Sequence, residues 1–242
     1  MLTLDKLTKH FKNVKAVNEV SFTVDGGEIF GLLGANGAGK TTTLRMLATM
    51  LTPTGGTATI NGLDLLKDAD KVRNHVGLLF GGDTGLYERL TARENIVYFA
   101  RLCGRAEDEA HGRAEALAQA FDFTKYLDFQ AKKLSKGTRQ KVALARSIVH
   151  NPDVILFDEP MVGLDVTSRK DVRDFILNLK EKGKTIILSD HNLHIAERLC
   201  DRIGILHNGE LIAMGTAEEL YEQHQCKDLE EVFFKVAGRE SE

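Results

Sequence analysis

Short, uninterrupted apolar runs recur along the chain, and turn-forming or charged residues end them. Four such runs predict strands: "EIFGLL" at 28–33, "VGLLF" at 76–80, "DVILFD" at 153–158 and "TIILSD" at 185–190. Because the apolar positions do not alternate with polar ones, these runs are typical of strands that are buried on both faces, as in a parallel sheet.

Stretches with helical spacing lie between these runs. They are "KTTTLRMLATM" at 40–50, "KGTRQKVALARSIVH" at 136–150 and "SRKDVRDFILNLKEKG" at 168–183. In the third stretch, apolar side chains recur every three or four residues from Val172 to Leu179, and Gly183 follows a lysine-rich last turn, which is a helix stop signal. Strands that alternate with helices predict an α/β fold with helices on both faces of a parallel sheet.

The remaining segments have other patterns. Residues 1–62 contain further β-prone pieces, separated by turn signals at 26–27 and 61–62. Residues 91–133 are rich in Ala, Glu, Arg and Leu, which predicts a helical segment that forms a separate lobe. Residues 202–215 predict a hairpin, since Asn208-Gly209 suits a tight turn with positive φ.

Composition narrows the classes of function. The 242 residues carry a formal net charge of -3, which gives no whole-chain attraction to nucleic acid, and we expect no nucleic-acid partner. The three cysteines lie far apart and form no CxxC pair, so neither a disulfide framework nor a zinc site is expected, and a reducing cytoplasm fits best. No apolar run approaches the ~20 residues that cross a bilayer, so we expect a chain that does not itself span the membrane.

The sequence "GANGAGKT" at 34–41 matches the phosphate-binding loop GxxxxGK[ST], and it lies between a predicted strand and a predicted helix, as that loop requires. Glycines allow backbone N–H groups to surround phosphate oxygens, and the helix N-terminus adds partial positive charge. Lys40 is then expected to meet the outer phosphates, and Thr41 to offer its hydroxyl to Mg²⁺. The alternative is a glycine-rich turn without a ligand.

Two acids, Asp158 and Glu159, follow the apolar run at 154–157. At the carboxyl end of a buried strand they would open on a ligand crevice, where Asp158 could hold Mg²⁺ through water and Glu159 could orient or deprotonate an attacking water. Paired acids after a strand are also common in solvated turns. The phosphate loop favours the catalytic interpretation.

Two further stretches carry polar groups at the ends of elements. In "LSKGTRQ" at 134–140, Ser135 and Gly137 stand at the start of a helix, where they could bind an anion or only cap the helix. His191 follows the strand at 185–190, although a lone histidine is more often structural than catalytic.

Taken together, these stretches resemble the ATP-binding subunits of ATP-binding-cassette (ABC) transporters, and the resemblance covers nearly the whole chain. The order of motifs is that of the family: the phosphate loop at 34–42, the signature at 134–140, "ILFDEP" at 155–160, "GLD" at 163–165 and the switch histidine at 191. The resemblance implies an α/β phosphate-loop ATPase with a mixed β-sheet core, an N-terminal antiparallel β-subdomain and a helical subdomain.

The resemblance also implies the site residues. Glu159 and His191 are the expected catalytic residues, and Thr41 and Asp158 the expected Mg²⁺ ligands. Phe11 is expected to stack on adenine, while Ser135 and Gly137 act on the ATP of a second protomer in a head-to-tail homodimer. The expected ATP-binding residues are Phe11, Asn36, Gly37, Ala38, Gly39, Lys40, Thr41, Thr42, Ser135 and Gly137.

Within the family, "FGGDTGLYERLTARENI" and "DLEEVFFKVAGRE" look most similar to sodium-extrusion and drug-export subunits. That similarity implies a separate membrane-spanning permease of the ABC-2 type as partner, and a position on the cytoplasmic face of the cell membrane. It also implies one ABC ATPase domain over 1–242. Its nucleotide-binding core with the β-subdomain would cover about 1–90 and 134–215, the helical subdomain about 91–133, and a C-terminal helical tail about 216–242.

Two other classes of function compete with transport. A non-transport ABC ATPase would act as a nucleotide-switched binding module, but such relatives usually carry two cassettes or a long coiled-coil insertion. A nucleotide kinase or GTPase would share the phosphate loop, but it would not account for "LSKGTRQ" and "SDH".

The sequence departs from the family at three places. Lys136 and Thr138 occupy the third and fifth positions of the usual LSGGQ signature, and Asp190 precedes the histidine where a small residue is more usual. The third departure is Gly81, which stands where relatives carry a glutamine that reaches Mg²⁺ and whose loop also touches the permease. Gly81 could serve a turn or a close backbone approach. Alternatively, the metal-reaching side chain is lost and a water, held for example by Asp83, replaces it.

Overall fold

The computed structural model describes residues 1–81 and 85–238, and Asp83 therefore lies outside the described residues. The strands are β1 (Leu2–Phe11), β2 (Val14–Val24), β3 (Ile29–Leu33), β4 (Gly55–Ile60), β5 (Leu63–Asp64), β6 (Val76–Leu79), β7 (Val154–Asp158), β8 (Thr185–Asp190), β9 (Arg202–His207) and β10 (Glu210–Gly215). The helices are α1 (Lys40–Leu47), α2 (Ala69–His75), α3 (Ala92–Leu102), α4 (Glu107–Ala120), α5 (Lys136–Ile148), α6 (Val166–Glu181), α7 (Leu193–Leu199), α8 (Ala217–His224) and α9 (Leu229–Val236).

The strands form two sheets. The larger has the order β10-β9-β3-β8-β7-β6, with parallel pairing throughout except for the antiparallel hairpin β9-β10. This mixed sheet confirms the prediction of buried parallel strands, and every residue of β3, β7 and β8 is buried. The smaller sheet is antiparallel, with the order β2-β1-β4-β5.

The strand order brings four loops to one edge of the larger sheet. Strands β3, β8, β7 and β6 are neighbours and run in the same direction, so the segments that follow them leave from the same edge. These segments contain the phosphate loop, His191, the acid pair and Gly81. Residues that are up to 157 positions apart in the chain, from 34 to 191, are therefore placed side by side.

The helical segment shares a hydrophobic core with one face of the larger sheet. A continuous cluster of buried side chains includes Ala110 on α4, Phe123 beyond it, Val142 on α5 and Phe157 on β7. The rings of Phe121 and Phe175 lie against each other, with centroids 3.5 Å apart, and connect this segment to α6. The opposite face of the sheet packs against α1 and the smaller sheet through a second cluster.

The fully buried ring of Phe157 should dominate the stability of this core. We expect Phe157→Ala to lower the free energy of unfolding by about 3–5 kcal/mol, because it removes the ring and leaves a cavity. Val166→Ala, at a side chain that is 84% exposed, should change it by less than about 0.5 kcal/mol. Urea denaturation checks both values, and equal effects of the two substitutions would contradict this account of the core.

Candidate functional site

The loop at 34–39 connects β3 to α1 and encloses a small pocket. Gly34 and Gly39 have φ values of 157° and 109°. A Cβ at Gly39 would lie 2.5 Å from the carbonyl oxygen of Ala16, so a larger residue cannot occupy this position without displacing the backbone. The pocket has a volume of about 130 Å³ and is lined by Ala16, Asn36, Gly37, Ala38, Gly39, Lys40, Thr41, Thr42 and Glu159.

The ammonium group of Lys40 lies inside this loop. The side chain is buried, and Nζ donates to the carbonyl oxygens of Gly34 at 2.6 Å and Ala35 at 3.1 Å. Burial lowers the pKa of Lys40, while the negative charges of Glu159, Asp158 and Asp190 act in the opposite direction. A cation held this way is placed to interact with an anion in the loop.

Thr41 and Asp158 join the phosphate loop to the end of β7. The hydroxyl of Thr41 donates to Oδ2 of Asp158 at 2.7 Å, and the hydroxyl of Ser189 donates to Oδ1 of the same buried carboxylate. A threonine hydroxyl and a carboxylate are oxygen ligands of the kind that Mg²⁺ prefers. Within residues 1–81 and 85–238, no group of three or more His, Cys, Asp or Glu side chains could hold a metal alone. The hydroxyl of Thr41 and the carboxylate of Asp158 supply two oxygen donors, which suits Mg²⁺ that is shared with substrate phosphates and water.

Glu159 and His191 contact each other beside the pocket. Nδ1 of His191 lies 2.9 Å from Oε1 of Glu159, and both side chains are partly accessible to solvent. Glu159 has a φ of 47°, which is unusual for a residue with a Cβ, and its N–H donates to the carbonyl oxygen of Ser189 at 2.9 Å. The pair can thus hold and orient a water molecule near the loop.

Asp190 shapes the turn that carries His191. Asp190 is only 2% exposed, and its Oδ1 accepts the backbone N–H groups of His191 at 2.8 Å and Asn192 at 2.9 Å. Burial raises the pKa of Asp190, and these two hydrogen bonds act against that shift. The unusual aspartate therefore has a physical role, since it holds the backbone on which His191 stands.

Gly81 packs directly against the backbone of the acid pair. A Cβ at this position would lie 2.7 Å from the carbonyl oxygen of Asp158 and 2.9 Å from that of Glu159. This geometry supports close backbone approach at Gly81, while the replacement of a lost side chain by a water held by Asp83 stays a prediction, since Asp83 lies outside the described residues. A left-handed backbone does not account for the glycine, because Gly81 is not among the described residues with positive φ.

Three of the expected ATP-binding residues lie outside the loop pocket. Ser135 caps α5, where its hydroxyl accepts the N–H of Thr138 at 3.2 Å, and Gly137 packs against Ser168. Phe11, at the end of β1, is exposed, and Nζ of Lys9 lies 5.3 Å from the centroid of its ring. These three residues therefore do not line the phosphate pocket of their own chain.

Sequence reasoning missed two residues at this site. Ala16 lines the pocket although it lies in β2, and no feature of its surroundings in the sequence indicates this. The hydroxyl of Ser189 donates to the carboxylate of Asp158, and the sequence carries a signal for it, since Ser189 is the polar residue that follows the apolar run Ile186–Leu188.

A phosphate loop between β3 and α1, together with an acid pair on β7 of the same sheet, defines the class of phosphate-loop nucleoside triphosphatases. The ABC transporter family model matches residues 17–162, more than half of the chain, so the chain belongs to this family. It is an ATP-binding subunit of an ABC transporter, and such subunits hydrolyse ATP to power transport.

Two relatives agree with this assignment. The chain is 46% identical to the ABC transporter ATP-binding protein NatA of Bacillus subtilis, with 99% of each chain covered. It is 40% identical to the daunorubicin/doxorubicin resistance ATP-binding protein DrrA of Streptomyces peucetius, over 88% of this chain and 64% of that one. These matches give no support to the non-transport alternative.

Solved structures agree as well. A structure described as the ATP-binding subunit of an ABC transporter superimposes with a TM-score of 0.89 at 32% identity, covering 98% of this chain and 99% of that one. A dimeric ATP-binding cassette bound to ADP and Pi superimposes with a TM-score of 0.81 at 26% identity, covering 89% of this chain and 98% of that one. These neighbours confirm the predicted fold class.

We expect Gly81→Ala to lower the rate of ATP hydrolysis at least tenfold and to change ATP affinity less than threefold. The added Cβ must displace the Asp158-Glu159 backbone, and displacements of about 1 Å are costly at a catalytic group. Gly112→Ala is the matched control, since nothing lies within 4 Å of a Cβ on that exposed turn of α4. Steady-state hydrolysis and nucleotide titration measure the two effects, and a normal rate in Gly81→Ala would refute the packing argument.

Proposed function

We propose that this chain drives export through a separate membrane-spanning permease of the ABC-2 type, from the cytoplasmic face of the membrane. ATP hydrolysis would power this export. The observation that carries the hydrolysis is the contact of Glu159 with His191 beside the phosphate loop, because it provides a base and its partner next to the place where phosphates would bind. The relation to a subunit named for daunorubicin and doxorubicin resistance, and to one named for Nod factor export, favours export over import. The proposed cargo is a drug or sodium ions.

Each residue of the site has a distinct part in the proposed hydrolysis. Lys40 and the N–H groups at 36–42 bind the phosphates and orient the terminal one. Glu159 accepts a proton from the attacking water, and His191 holds the carboxylate of Glu159 through its Nδ1. Thr41 and Asp158 would hold Mg²⁺, which supplies charge neutralisation at the phosphates when it is bound.

Two copies of the chain are required for a complete site in this proposal. Ser135 and Gly137 lie outside the loop pocket of their own chain, and they lie at the start of α5, where backbone N–H groups can bind an anion. We infer that they contact the ATP of a second protomer in a head-to-tail dimer. The dimeric state of a solved relative, which holds ADP and Pi, supports this arrangement.

A groove next to Gly81 is the proposed docking site for the permease. It has a volume of about 340 Å³, and its wall includes Phe80, Phe99, Cys103 and the exposed Met50. A segment of the permease in this groove would contact Phe80, which directly precedes Gly81. Gly81 in turn packs against the backbone of Asp158 and Glu159. Among the described residues, no helix is long and apolar enough to cross a membrane.

Glu159→Gln should reduce ATP turnover by ~10²–10⁴-fold, because the amide cannot accept the proton of the attacking water. The affinity for ATP should stay within twofold of that of the unmodified chain, since Lys40 and the loop are unchanged. Phosphate release at saturating ATP and equilibrium binding of a fluorescent ATP analogue provide the two measurements. Turnover that is unaffected by the substitution would remove Glu159 from its role.

Met50→Glu should reduce recovery of the chain with its permease at least fivefold, since a charge on the groove wall opposes burial of an apolar partner. Leu66→Glu is the matched control, because Leu66 is also an exposed apolar residue and lies outside the groove. Co-expression with the permease, capture from detergent extract and quantitative immunoblotting provide the measurement. Equal recovery of the two variants would exclude this groove as the docking site.

A further inference from the structure

The side chain of Gln140 makes a buried contact that none of the roles above uses. Gln140 lies on α5 and is 8% exposed, and its amide Nε2 donates to the carbonyl oxygen of Pro160 at 2.6 Å. Pro160 is itself buried and directly follows Glu159. The hydrogen bond therefore connects the helix that begins beside Ser135 to the Pro160–Met161 peptide unit, which is the second peptide unit after the proposed base.

The backbone of Glu159 depends on external contacts to keep its conformation. A φ of 47° lies in the left-handed region, which residues with a Cβ rarely adopt. On one side, the N–H of Glu159 donates to the carbonyl oxygen of Ser189 at 2.9 Å. On the other side, the side chain of Gln140 holds the next carbonyl group. Strained residues at functional sites persist only when neighbouring contacts fix them, and these are two such contacts.

The start of α5 also packs against the segment that follows Pro160. Gly137 lies against the hydroxyl of Ser168, and the ammonium of Lys136 lies over Gly163. Because α5 is a continuous helix over its 13 residues, a displacement of its first turn is transmitted to Gln140, which lies one turn further along. Gln140 thus connects the first turn of α5 to the backbone that follows Glu159.

We propose that Gln140 is a positioning residue that fixes the Pro160 peptide and thereby the direction of the Glu159 carboxylate. Through this contact, the position of the Glu159 carboxylate also depends on the position of α5, the helix that Ser135 caps. The inference rests on the proposed function, in which Glu159 is the base. It assigns a role to a residue of α5 that does not line the phosphate pocket.

The test begins with Gln140→Met in the full-length chain, which keeps the size of the side chain but cannot donate to Pro160. We expect kcat for ATP hydrolysis to fall about ten- to a hundredfold, the range for a small misplacement of a catalytic group. KM for ATP should stay within twofold, since the pocket is untouched. Gln119→Met, at an exposed position of α4, is the matched control and should leave both constants unchanged.

A double-mutant cycle separates positioning of Glu159 from a general structural effect. If Gln140 acts through Glu159, then Gln140→Met should lower the residual rate of the Glu159→Gln chain by less than twofold. Equal losses in the two backgrounds would overturn the inference. Gln140→Glu serves as the second variant if Gln140→Met does not fold. It has the same shape, but an ionised carboxylate cannot donate and repels the carbonyl of Pro160.

The outcomes distinguish this inference from the proposed function. Normal kcat in both Gln140 variants, together with a loss in Glu159→Gln, refutes the positioning role and leaves the assignment of the base intact. Normal kcat in Glu159→Gln refutes the proposed base itself. A reduced kcat in the Gln140 variants that disappears in the Glu159→Gln background supports both proposals.

Discussion

The carboxyl end of β7 is the place where backbone segments from several elements meet at contact distance, and the candidate site depends on this packing. Gly81 touches the carbonyl groups of Asp158 and Glu159, Ser189 accepts the N–H of Glu159, and Gln140 holds the carbonyl of Pro160. Together these contacts keep Glu159 in a conformation that is disfavoured for an isolated residue. The carboxylate is thus directed by its surroundings and not by its own preferences.

Charge reinforces this arrangement. Lys40 is buried among backbone carbonyls and three carboxylates, so its lower pKa reflects burial that the acids only partly offset. Asp190 shows the opposite shift for the same physical reason, since burial disfavours its charged form. A site that buries one cation and two acids so closely is arranged for a ligand that is itself strongly charged, and a nucleoside triphosphate has this property.

Much of the fold followed from the sequence, because unbroken apolar runs and helical spacing have few structural solutions. The strands at β3, β7 and β8 and the helices α5 and α6 were predicted, with bounds that differ by a few residues. The strand predicted at 76–80 ends at Leu79, and Phe80 lies outside it. The roles of Phe11, Ser135 and Gly137 stay predictions, because they concern a ligand and a second chain.

By itself, the sequence determined the phosphate loop, the acid pair and the order of motifs, since these depend on residue types at short spacings. Only the tertiary structure decided why Gly81 and Asp190 differ from the usual pattern. Gly81 allows close approach to Asp158, which is distant in the sequence but adjacent in space. Asp190 accepts a backbone hydrogen bond that holds the turn at His191. The same holds for Gln140, whose partner lies 20 residues away in the chain and 2.6 Å away in space. Contacts of this kind depend on how strands are ordered in the sheet, and local patterns do not contain that information.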